Sequence, residues 1–120
     1  MSEPMLVVER EYRSDGIVVL ALSGELVVTS REALREEAES ELVNGARHLV
    51  VAVDRLSHID TTGLAMLVYL AGRCAERGGR MAVAGLKADV QEMRQHLFLD
   101  EAIRFADHVG DAVAAVARPG

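Results

Sequence analysis

The spacing of apolar residues along the chain changes period several times, and each change marks an element. MLVVEREY, Met5–Tyr12, is rich in β-branched and aromatic residues with partial alternation, which predicts a strand. Ser14-Asp15-Gly16 follows, and Asp-Gly is a strong signal for a tight turn. IVVLALSGEL then predicts a second strand, antiparallel to the first. From Thr29 the period lengthens. Leu34, Ala38 and Leu42 recur at helical spacing, while Arg35, Glu36 and Glu39 are expected to face water. Thr29 with Glu32 matches a capping box, Arg35 and Glu39 are spaced to pair, and Gly45 is a natural stop. HLVVAV is a continuous apolar run, the pattern of a strand buried on both faces. Asp54 to Asp60 is expected to be a loop, and Thr61 to Arg77 a helix closed by Gly78 and Gly79. A short strand, RMAVAG, precedes a helix, KADVQEMRQHLF, with Val90, Met93 and Leu97 on one face. IRFAD is the last strand and VGDAVAAVA the last helix. Residues 1–4 and 118–120 are expected to be flexible ends.

The order β-β-α-β-α-β-α-β-α implies an α/β domain with right-handed parallel crossovers. The leading hairpin adds an antiparallel strand. The expected architecture is a mixed four- to five-stranded sheet packed with about four helices. At 120 residues, one domain spanning the chain is the economical reading, and an apolar content of 50% is enough to build its core.

Charge narrows the partners. A net charge of −6 argues against nucleic acid and against an anionic membrane surface, but leaves a basic patch on another protein open. Cys74 is the sole cysteine, so no intrachain disulfide or cysteine zinc cluster can form, which fits a reducing, cytoplasmic setting. MSEPMLVVERE lacks the pattern of a signal peptide, and Gly63–Gly72, the longest apolar stretch, is about half a bilayer span. A soluble protein without membrane insertion is expected.

Chemistry concentrates in one place. Ligands and active groups of parallel sheets collect at the carboxyl ends of the strands, and HLVVAV leads there into His58-Ile59-Asp60-Thr61-Thr62-Gly63 at a helix start. The first N–H groups of that helix lack internal partners and its dipole favours negative charge, so a phosphate on Thr61 would be well tolerated. Asp60 could orient the hydroxyl, and Gly63 leaves room for a partner's backbone. From spacing alone a simpler reading exists, with Asp60 or Thr61 serving only as an N-cap. Enzyme readings find less support. There is no phosphate-binding loop with lysine and no G-x-G-x-x-G after a strand. His48, His58, His96 and His108 lack metal-ligand spacing, and no nucleophile elbow occurs. Cys74 reads as a small packing residue, and no catalytic residue, metal or cofactor is implied.

The stretch VVAVDRLSHIDTTGLAMLVYLAGRCAERGGRMAVAGL resembles the central signature of the STAS domain, in particular bacterial anti-sigma factor antagonists. That pattern is a buried strand, a loop with Asp and hydrophobics, D-S-[ST]-G-L opening a helix, then a Gly-Gly turn and a short strand. LSGEL is similar to the family's L-x-G-x-L-D segment, and VQEMRQHLFLDEAIRFADHVGDAVAAV to its closing region. The resemblance implies a STAS-like fold in which Thr61 is the phosphate acceptor, with Asp60, Thr62, Gly63, Ser57 and His58 as its neighbours. It further implies a partner surface at Gly24, Glu25, Thr29, Ser30, Leu56 and Leu64. The implied role is partner switching. The unphosphorylated protein binds an anti-sigma factor that is also a serine/threonine kinase and so frees a sigma factor; phosphorylation releases it, and a PP2C-type phosphatase resets it. Two departures stand out: Thr61 replaces the usual Ser, and Val27 replaces the family's Asp after G-x-L. Thr at this position is also common in STAS accessory subunits of phospholipid-transport ABC complexes, which bind a transporter ATPase and form the second reading. A response-regulator receiver is a third. It would need an acidic pair after the first strand and a Lys after the fifth, and both are missing. The sequence leaves the oligomeric state undetermined.

Overall fold

The structure is a computed structural model, and it describes residues 4–118. Its elements are β1 (Leu6–Tyr12), β2 (Ile17–Leu26), α1 (Arg31–Val43), β3 (His48–Ile59), α2 (Thr61–Glu76), β4 (Met81–Ala84), α3 (Ala88–His96), β5 (Arg104–Ala106) and α4 (Val109–Ala117), with a 3-10 turn at Leu99–Glu101. The sheet order is β1-β2-β3-β4-β5. β1 is antiparallel to β2, and all other neighbours are parallel. At the β1–β2 turn Asp15 and Gly16 both take positive φ, 64° and 73°, as an Asp-Gly hairpin turn requires. The expected mixed α/β sheet is therefore the observed one. The expectation of flexible ends falls mainly on residues 1–3 and 119–120, which lie outside the described residues.

The parallel strand order advances in one direction, so right-handed crossovers put successive helices on one face. Leu34, Leu42, Leu67, Leu70 and Val90 from α1, α2 and α3 accordingly share a core with Leu20, Leu22, Val51 and Val83 of the sheet. α4 follows the last strand and covers the other face, with Ala112 and Val116 against Ile17, Val19, Val50 and Ala82. Cys74 is buried in the first core, and burial pushes its thiol up to about 11.

Five local expectations are corrected. Asp54–Ile59 is not a loop: β3 continues to Ile59, because Ser23–Leu26 of β2 supply ladder partners for it. Register shifts at Ala21/Ser23 and Gly24/Glu25 keep the two chains in step, and Leu56 points inward while Asp54, Arg55, Ser57 and His58 are exposed. The capping box is not formed. Ser30 is the N-cap of α1, and its hydroxyl closes its own loop by accepting from Val27 N–H (3.0 Å) and donating to Glu25 O (2.6 Å). Arg35 pairs with Glu32 at 2.6 Å rather than with Glu39. Glu39 turns to α2 instead of water, accepting from Arg73 Nε and Tyr69 OH at 3.0 Å each. Finally, Leu97 is 47% exposed. α3 stops at His96, Phe98 enters the left-handed region (φ 53°), and the chain buries Leu99 instead.

Leu67→Ala, in the packed centre of α2, should cost about 2–5 kcal/mol. Leu97→Ala should stay within about 0.5 kcal/mol. Urea denaturation of the two variants checks the contrast, and a large loss at Leu97 would contradict the described end of α3.

Candidate functional site

The site forms where β2 and β3 end and α2 begins. Asp60 is the N-cap of α2, in extended conformation, and its backbone N–H donates to Leu26 O at 3.2 Å. Its Oδ1 accepts from the Gly63 N–H at 2.9 Å and from the Thr62 hydroxyl at 2.6 Å. Its Oδ2 accepts from the Val28 N–H at 3.2 Å. One carboxylate thus ties the first turn of α2 to the β2–α1 connection. The hydrogen bond from Thr62, followed by those from Gly63 and Val28, holds the Asp60 carboxyl below its ordinary value of 3.8.

Glycine at position 63 makes this approach possible. A Cβ there would lie 2.4 Å from the carbonyl oxygen of Leu26 and 3.0 Å from its side chain. The backbone that Gly63 admits is therefore the protein's own, not a partner's as expected. Gly24 has a comparable internal duty: its φ is +99°, and a Cβ would meet Met5 O at 2.2 Å.

The two threonines divide. Thr62 is partly buried and spends its hydroxyl on Asp60. Thr61, the first helical residue, is exposed, and its hydroxyl has no protein hydrogen bond among the described residues. Asp60 therefore orients Thr62 rather than Thr61, which corrects the expected pairing. The surface around Thr61 exposes Ser57, His58 and Thr29, and leaves Glu25 and Gly24 partly accessible. Ser57 Oγ donates to Gly24 O at 3.1 Å, joining β3 to β2. Leu56, Leu64 and Ser30 are buried, so their side chains shape this surface from beneath and do not present themselves to a partner.

Sequence reasoning missed one part of the neighbourhood. A groove of about 200 Å³ opens beside His58, between β3 and α3, lined among others by Ser57, Lys87, Asp89 and Met93. Lys87 Nζ donates to Leu56 O at 2.7 Å and fixes one wall. No local pattern announces it, since its walls are about thirty residues apart in the chain and meet only through the β3–β4 crossover. Among the described residues no group of three metal-ligating side chains occurs, and no helix is long and apolar enough to cross a membrane.

The family model for the STAS domain matches residues 11–112. The chain belongs to the STAS domain family. Among curated proteins this STAS chain is similar to BtrV of Bordetella bronchiseptica, named as a candidate anti-sigma factor antagonist. The two are 27% identical over 79 residues, which is 66% of this chain and 68% of BtrV. Among solved structures, an anti-sigma factor antagonist from Mycobacterium paratuberculosis superposes with a TM-score of 0.83 at 19% identity, covering 98% of this chain and 100% of that one. SpoIIAA, a Bacillus cell fate determinant, was solved in two forms. The unphosphorylated one superposes with a TM-score of 0.76 at 21% identity, covering 92% of this chain and 96% of that one. The phosphorylated one gives 0.71 at 20%, covering 92% and 99%. At these identities the structural likeness establishes the shared fold.

The depressed Asp60 carboxyl has a consequence for stability. Its folded-state affinity for a proton is below that of the unfolded chain, so its contribution is present above the ordinary carboxylate range and is lost as pH falls through the folded value. Asp60→Asn removes this titration. The Tm difference between the wild-type chain and Asp60→Asn should be largest near neutral pH and shrink below about pH 4. A difference independent of pH in thermal melts would contradict the ionised cap.

Proposed function

We propose that this STAS domain is an anti-sigma factor antagonist that works by partner switching, with Thr61 as the phosphate acceptor. The observation that carries the reading is the division between the two adjacent hydroxyls. Thr61 is exposed and unbonded at the first position of α2, whereas Thr62 is held by Asp60. A kinase can reach the first without disturbing the cap, and would have to break the cap to reach the second. The names of BtrV and of the Mycobacterium structure, and the pair of SpoIIAA forms, support the same role.

In this reading the unphosphorylated protein binds an anti-sigma factor that is also a serine/threonine kinase. The docking surface comprises Thr61, the exposed Ser57, His58 and Thr29, the accessible edge at Gly24–Glu25, and the groove toward Met93. Phosphorylation brings about −1.5 to −2 charges to the middle of that surface. A docked partner must then desolvate or repel them, and it releases. A PP2C-type phosphatase restores the hydroxyl. In this reading the switch operates in the cytoplasm. An accessory role in a phospholipid-transport ABC complex is not favoured, because the relatives reported carry the antagonist name.

Co-expression with anti-sigma kinases of the host, followed by phosphopeptide mass spectrometry, should find phosphate on Thr61. Phosphate confined to Thr62 or Ser57, or none with any kinase, would overturn the assignment. In calorimetric titrations Thr61→Ala should keep partner binding. Thr61→Glu should weaken it by about tenfold or more, the cost of a charge left unpaired in an interface. Equal affinities for the two variants would refute the switch.

A further inference from the structure

The end of the sheet opposite Thr61 gathers cations in an otherwise acidic protein. A cavity of about 260 Å³ lies there, lined by Asp15 at the hairpin tip, Arg47 and His48 at the start of β3, Gly78 and Arg80 around the α2–β4 turn, and Arg118 after α4. None of the three arginines forms an ion pair among the described residues. Arg47 is anchored instead by a hydrogen bond from Nε to Gly78 O at 3.3 Å. The Gly78-Gly79 turn sets the spacing, since a Cβ on Gly79 would fall 1.6 Å from Arg47 O. Arg47 and Arg80 are thereby held side by side, each just before the start of one of two adjacent parallel strands, β3 and β4.

His48 completes the lining. Its Nδ1 accepts the Arg80 backbone N–H at 3.0 Å, which leaves the proton of the neutral ring on Nε2. Burial, and then the charges of Arg47 and Arg80, push the imidazole below its ordinary value of 6.5, so the ring is a neutral donor. Nε2 has no protein partner among the described residues, and His48 is part of the cavity lining. α1, α2 and α4 all end at this end of the sheet, and an arginine near a helix terminus complements its dipole. That accounts for single cations. It does not call for three arginines and a histidine to line one cavity in which Asp15 is the acidic lining residue among those described.

We infer that this cavity is an anion-binding site for a phosphate group carried by a small molecule, contacted by Arg47, Arg80, Arg118 and the Nε2–H of His48. The volume is below that of most drug-sized sites, which favours a small anion over a large ligand. Guanidinium forks suit phosphate oxygens better than point charges do.

Titration of the full chain with inorganic pyrophosphate and with ADP, followed by amide NMR shifts and calorimetry, tests the site. Saturable shifts at Asp15, His48, Gly79 and Arg80 are expected in the millimolar range or tighter. Equal affinities for the two probes would assign the phosphate group as the determinant, and tighter ADP binding would add a nucleoside; both support the site. Arg80→Gln and Arg118→Gln should each weaken binding by about tenfold or more. Arg35→Gln, on α1 and away from the cavity, should not. Arg118 is exposed beyond α4, so its variant keeps the test open if Arg80→Gln folds poorly. No saturable shift with either probe, or unchanged binding in the Arg80→Gln/Arg118→Gln double variant, would overturn the inference.

Discussion

The candidate site depends on a single carboxylate with three donors. Asp60 receives hydrogen bonds from Thr62, Gly63 and Val28, two from its own helix and one from the connection after β2. Helix α2 therefore cannot start without also fixing the β2–α1 loop. The reverse holds through Gly63, whose missing side chain lets the helix start press on Leu26 O. A cap that joins only consecutive residues stabilises one helix. This one couples two strand ends that are more than thirty residues apart, and it is why the exposed residues of both loops form one continuous surface.

What could be read from the sequence follows the range of the interactions involved. Strands and helices set by local periodicity were legible, as were the hairpin turn at Asp15-Gly16 and the stops at Gly45 and Gly78. The mixed sheet followed from their order. The misreadings share a cause. Asp54–Ile59 looks polar and loop-like, and becomes strand only because the far half of β2 lies beside it. Thr29 and Glu32 have the spacing of a capping box, yet Ser30 finds a better partner in Glu25 O. Glu39 has a local arginine within reach and takes a distant one, Arg73. At the site, the sequence located the cap and the exposed Thr61. It did not reveal that Asp60 serves Thr62, because either hydroxyl is close enough in sequence and only the direction of the first turn separates them.

The strand order also gives the domain two unlike ends. All parallel strands finish toward Thr61, where helix N-termini add positive potential and the protein supplies Asp60. They begin at the other end, where helix C-termini add negative potential and the protein supplies Arg47, Arg80 and Arg118. At these positions the charged side chains complement the helix dipoles.

That polarity bears on how a phosphate at Thr61 would act. Asp60 already occupies the N-terminus of α2 and is held ionised by three donors, so the dipole there is largely complemented before any phosphate arrives. The added charge would gain little from the helix and would stand beside a like charge that cannot readily accept a proton. Relief by refolding is blocked, since moving Asp60 would release Val28 and open the contact between Gly63 and Leu26. Under the proposed switch, the phosphate therefore remains on the surface as an uncompensated charge, and the cost of burying it falls on the partner. A rigid cap and a sensitive docking surface are then the same design: the firmer Asp60 holds the fold, the more completely the modification is read outside it.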